Sequence, residues 1–203
     1  MTAARNSQAG IAQAVTLMTN PSFLSGFFFV ALAMSFVPVG SRLTVALVGA
    51  GFASIVPILT VIALRNAGVV TDLALRERAE RPIVYAACAL VYAIGAAFLV
   101  TIGAPWQVWG VMFLHLPTMA VLSVLTRRAK ISIHTTGVAA LWSASLILWG
   151  PAALPLGVVL PVAAWGRWAL GAHTRDELAT GALLGLVATG AGLLLLRTFV
   201  GTR

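Results

Sequence analysis

Arg167, His173 and Glu177 carry the densest chemistry in this sequence, spaced as Gly166-Arg167, five residues, His173, three residues, Glu177. A carboxylate four positions after a histidine can accept the ring's Nδ1–H and leave Nε2 free as a base or nucleophile. Arg167, one tight turn earlier through Gly171, can face the same pocket. A second use of Glu177 is equally concrete: Thr174-Arg175-Asp176-Glu177 reads as a capping box, in which the carboxylate serves a helix N-terminus. The sequence leaves both uses open, on different atoms. A second group, Lys130, Ser132 and His134 in RRAKISIHTTG (127–137), stands at the start of an apolar run. Free amides and a positive dipole end receive anions there. His134 lies inside the apolar boundary, where a polar group is expensive, so it is either functional or satisfied by a backbone carbonyl. A third group, Arg76, Arg78 and Arg81 in TDLALRERAERP (71–82), offers guanidiniums of the kind that grip phosphate oxygens. Glu77 and Glu80 sit among them, so a self-neutralised loop is the plainer reading of that stretch alone. His115 lies mid-run beside Pro117, either bonding a carbonyl that the proline frees or lining the interior.

These groups matter because ionisable residues are scarce: five acids and three histidines in 203 residues. The chain is 60% hydrophobic and 9% charged, where a soluble domain carries roughly a quarter charged residues. Apolar runs fall at about 23–39, 43–64, 83–103, 107–126, 132–149, 153–170 and 178–199. They approach or exceed the ~20 residues that cross a bilayer. The expected fold is therefore all-α: a polytopic transmembrane helical bundle of six to seven spans. It forms one integral membrane domain over 1–203, with a polar N-terminal segment at 1–20 and the motif-bearing core at 65–185. No small-residue cleavage site follows the first apolar run, which reads as a span and not as a removed signal peptide. Gly40, Pro105 and Gly150-Pro151 punctuate the short hairpins. Gly181 and Gly185, four apart, suit close helix packing. The single cysteine, Cys88, has no partner for an internal disulfide and reads as a small core residue.

If each run crosses once, Arg5, Arg65, Arg76, Arg78, Arg81, Arg127, Arg128, Lys130, Arg167 and Arg175 share one side. Arg42, Arg197 and Arg203 lie on the other. The positive-inside rule places the richer side in the cytoplasm, and all five acids fall there too. Trp106, Trp109 and Trp149 would mark the opposite interface, with Trp165 and Trp168 near the cytoplasmic one. The basic excess suits anionic lipid or an anionic substrate. No soluble basic surface exists to carry nucleic acid.

Together these loops resemble the type 2 phosphatidic acid phosphatase superfamily, the membrane branch with a histidine nucleophile. Its third motif, Ser-Arg, five residues, His, three residues, Asp, is similar to the Gly166 to Glu177 stretch, with Gly for Ser and Glu for Asp. Its second, Pro-Ser-Gly-His, is similar to Ile131-Ser132-Ile133-His134. Its first, Lys, six residues, Arg-Pro, matches Arg81-Pro82 but meets Ala74 at the lysine position. Two spans intervene here between the first and second motifs, which in the family usually flank one loop. The resemblance implies a phosphatase-like core in which His173 attacks phosphorus to form a phosphohistidine and Glu177 orients the ring. It implies that His134 protonates the leaving lipid oxygen, while Arg167, Arg81 and Ser132 hold the phosphoryl oxygens. Arg78 or Lys130 is then the candidate to replace the missing lysine charge.

The family is metal-independent, and three scattered histidines with few acids make no plausible metal cage, so neither metal nor cofactor is expected. The expected function is an integral membrane lipid-phosphate phosphatase. Prenyl phosphates or diphosphates come first, because the small basic site leaves little room for a large headgroup; phosphatidate or phosphatidylglycerophosphate comes next. Transfer to an acceptor other than water belongs to the same chemistry. The competing class is a non-catalytic lipid-phosphate binder or transporter.

Overall fold

A chain this apolar, placed where water cannot satisfy its amides and carbonyls, has to bond its backbone internally, and helices do so within each segment. The computed structural model describes residues 2–73, 75 and 77–200, without the side chains of residues 2–6. Ala74, Arg76 and Arg203 lie outside the described residues, as does the side chain of Arg5. Among the described residues every regular element is helical. In order they are α1 (Thr2–Met18), α2 (Pro21–Phe36), α3 (Arg42–Ala50), α4 (Val56–Asn66), α5 (Arg81–Thr101), α6 (Trp106–Leu125), α7 (Ile133–Trp149), α8 (Val159–Ala169) and α9 (Arg175–Val200).

Among the described residues six stretches are long and apolar enough to cross a membrane: Ser7–Phe36, Val39–Asn66, Arg78–Thr101, Trp106–Leu125, Ile133–Ala169 and Arg175–Val200. The fifth and sixth runs expected from hydropathy are joined without a break in the helical winding, so they count as one stretch although the chain folds back between them. That stretch turns sharply at Gly150, whose φ of 68° suits glycine. A side chain at Gly157 would strike the Trp142 indole, so the return arm runs back along α7. Its first part, Gly150–Val158, is a 3-10 helix and not the expected α-helix. Pro151 and Pro155 remove two amide donors from the arm, which disfavours regular α-winding.

The polar segment at 1–20 is also more ordered than its composition suggests. It forms α1, which packs on α8, with Ala12, Val15 and Thr16 against Gly166. Asn20 then caps α2: its Oδ1 accepts the Ser22 amide at 2.9 Å, and Pro21 takes the first helical position.

The seam between α7 and α9 positions the charged end. A Cβ at Gly181 would collide with Thr135 Oγ1 and the Ser132 carbonyl, and one at Gly185 with the Thr136 carbonyl. Without those carbons the helices approach closely enough to exchange polar bonds. The Ser132 amide donates to the Glu177 carbonyl at 3.3 Å. The Thr135 hydroxyl lies 2.9 Å from the Leu178 carbonyl, and Ser143 Oγ donates to the Leu186 carbonyl at 3.1 Å. Bonds of this kind between apolar helices contribute about 0.6–2 kcal/mol each.

Elsewhere the core is ordinary side-chain packing, with Phe29, Leu32, Leu99, Met112, Leu122 and Leu193 fully buried. Cys88 is buried within it. Trp149 ties α7 to α2. Its ring meets Phe28 edge-on at 5.3 Å, and its indole N–H donates to Ser35 Oγ at 3.3 Å. His115 donates Nδ1–H to the Val111 carbonyl at 2.8 Å and lies 4.8 Å from the Tyr92 ring. Its partner is thus the carbonyl one turn back, and not that of Phe113, which Pro117 leaves without an amide.

Gly185→Ala is expected to force α7 and α9 apart at a cost of about 1–3 kcal/mol. The check is a lowered thermal midpoint of the purified protein in detergent. Gly10→Ala, with open space around the added carbon, should leave the midpoint unchanged or slightly raised.

Candidate active site

Gly171 begins the site by ending α8. Its φ of 64° closes a left-handed cap, in which its amide donates to the Trp168 carbonyl at 2.8 Å and the Ala172 amide to the Arg167 carbonyl at 3.0 Å. The chain therefore reverses within a few residues and delivers His173 beside Arg167. Thr174 then opens α9 with a reciprocal box: the Glu177 amide donates to Thr174 Oγ1 at 3.3 Å, and the Thr174 amide donates to Glu177 Oε2 at 3.2 Å. The same Oε2 accepts from His173 Nδ1 at 2.9 Å. The two uses that the sequence left open both hold, and they share one oxygen.

That bond sets the tautomer. With Nδ1 donating to the carboxylate, Nε2 carries the lone pair. The His173 ring is only 3% exposed. Burial pushes its pKa down to about 4; the hydrogen bond to Glu177 opposes this, and the cations of Arg167 and Lys130 add to it. The imidazole is therefore neutral near pH 7.

Close packing of α7 on α9 brings the second motif to the same place. His134, in the first turn of α7, lies within electrostatic reach of Arg167 and His173. Its Nδ1 is buried with no hydrogen-bond partner, as is Arg167 Nε. Arg81, buried at the start of α5, lies close enough to Arg167 for the two guanidinium charges to repel each other. Its Nε donates to the Leu75 carbonyl at 2.9 Å and so holds the preceding loop, where Leu75 takes a left-handed φ of 51°. The inserted hairpin of α5 and α6 thus returns Arg81 to the motif-bearing end.

Two other expected ligands do scaffolding work. The Lys130 ammonium donates to the Ala172 carbonyl at 2.7 Å and stands 4.0 Å from Glu177 Oε2. Ser132 is fully buried; its amide goes to Glu177 and its hydroxyl accepts the Thr135 amide at 3.4 Å. Arg78 is taken elsewhere: it donates to the Arg127 carbonyl at 2.8 Å and lines a separate groove. The groove at the motifs encloses about 720 Å³, with Lys130, His173 and Glu177 on its walls. Arg175 stacks over Trp168 at 5.2 Å on the same groove.

Sequence reasoning missed Thr135 and Thr136, whose hydroxyls brace the first turn of α7 against Ser132 and α9. It also missed α1, which lies against Gly166 where the family motif has serine. Small residues four apart, Ala12 and Thr16, were the available signal. Comparison with protein-family models, curated proteins and solved structures finds no match for this chain.

The depressed His173 pKa predicts a stability effect with a definite sign. An unfolded histidine takes up a proton near 6.5, whereas the folded one does so at about 4. Its contribution is fully present above pH 6.5 and is lost as pH falls toward 4, because the unfolded chain binds the proton first. Thermal midpoints at pH 7.5 and 4.5 should differ less for His173→Asn than for the wild type.

Proposed function

We propose that this protein is an integral membrane lipid-phosphate phosphatase that works through a phosphohistidine at His173. The observation that carries the reading is the His173–Glu177 pair at 2.9 Å set beside two mutually repelling guanidiniums, Arg81 and Arg167. Such a cluster suits a multiply charged anion, and the unpartnered Arg167 Nε and His134 Nδ1 supply polar atoms to meet it. Phosphoryl transfer asks chiefly for positioning and charge stabilisation of this kind.

In this reading Nε2 of His173 attacks phosphorus, and the bond from phosphorus to the lipid oxygen breaks. Glu177 holds the ring and stabilises the positive charge that develops on it. His134, which can take its proton from the arriving phosphate monoanion, gives it to the leaving oxygen. Water then attacks the phosphohistidine, His134 accepts its proton, and phosphate leaves with His173 restored. Of the two candidates for the charge absent at position 74, Lys130 is preferred, since it shares the groove with His173 and Arg78 does not. Prenyl phosphates or diphosphates remain the first substrate class, followed by phosphatidate and phosphatidylglycerophosphate. The positive-inside reading puts the reaction on the cytoplasmic side.

The test is phosphate release by purified protein from a panel of these lipids in excess EDTA, beside folded His173→Ala. Release should persist with the chelator and fall by roughly 10³-fold or more in the variant, as loss of a nucleophile does. The acid limb of kcat/KM should lie nearer 4 than 6.5, because the free imidazole stays neutral to about 4. No release from any lipid, with binding equal in both proteins, would replace this reading with that of a lipid-phosphate binder or transporter.

A further inference from the structure

The same end of the bundle carries a second groove, between the start of α5 and the end of α6, which the proposed reaction does not use. Glu77, Arg78, Ala79, Pro82, Thr126 and Arg127 line it around about 600 Å³. The Arg78 guanidinium is pinned across it by the 2.8 Å bond to the Arg127 carbonyl. That bond uses one of five N–H donors and leaves the rest for an anion. Arg127 lines the groove as well, so two basic residues stand against the one acid, Glu77, among the residues that form it.

Thr126, on the floor, is fully buried against the Tyr85 phenol, which is its hydrogen-bonding neighbour within the protein. Below the charged rim, toward the apolar body, Ile83, Val121, Val124 and Leu125 are exposed. The groove therefore offers cations at the level of a polar headgroup and hydrocarbon contact beneath. A soluble phosphate would use only the upper half.

We propose that this groove holds the phosphate of a membrane phospholipid, with Arg78 and Arg127 on its non-bridging oxygens. The acyl chains lie along Ile83, Val124 and Leu125. No histidine lines the groove, so the lipid is held there without being cleaved.

The test is native mass spectrometry of the full chain released from detergent supplemented with phosphatidylglycerol, with and without millimolar inorganic phosphate. The wild type should retain one lipid more than Arg78→Gln/Arg127→Gln. His173→Ala should retain as much as the wild type, which separates this groove from the proposed catalytic one. Arg127→Gln alone keeps the backbone bond to Arg78 and guards against misfolding of the double variant. Equal retention in all variants, or equal loss in His173→Ala, would overturn the proposal. So would displacement of the lipid by inorganic phosphate, which would make this a site for free phosphate.

Discussion

The close approach of α7 to α9 is the constraint on which the charged end depends. His134 sits in the first turn of one helix, and Glu177 in the first turn of the other. Two missing side chains, at Gly181 and Gly185, decide how near those turns come. Once they touch, backbone groups at the helix ends satisfy each other, as Ser132 and Glu177 do. Main-chain groups at the two helix ends thus hold much of the charged end, with the side chains of Thr135, Lys130 and Glu177 bracing it.

That division of labour differs from what residue types alone suggest. Lys130 and Ser132 look like anion ligands, yet Ser132 is taken up by the first turn of α7 and Lys130 uses one of its three donors on the Ala172 turn. Beside His173 the buried atoms left without a partner belong to His134 and Arg167. Polar atoms in apolar surroundings are expensive when unpaired, and on the proposed reading these two meet the phosphate. Charge counting cannot make that distinction, because it treats Lys130 and Arg167 alike.

Much of the architecture was legible in the sequence. The ends of α5, α6, α7 and α9 fall within a few residues of the hydropathy runs, since burying a polar residue at a span edge is costly. The capping box and the glycine pair were legible because each rests on contacts within one helix or on the absence of a side chain. What hydropathy missed depends on tertiary partners. α1 is polar enough to read as a tail until α8 offers Gly166 to pack on. The contacts of Trp149 with Phe28 and Ser35 likewise depend on where α2 lies. The division between Lys130 and Arg78 follows from how the α5–α6 hairpin folds back, which no local pattern encodes.

The 3-10 winding of Gly150–Val158 has a consequence for where Arg167 points. A 3-10 helix rises about 2.0 Å per residue against about 1.5 Å for an α-helix, and advances about 120° against about 100°. Over the nine residues of this segment, α-winding would shorten the arm by about 4–5 Å and change its phase by about 180°. Everything downstream would be shifted in depth and turned to the opposite face. The prolines near the far turn therefore act as a gauge and a rotator for a guanidinium at the other end of the arm.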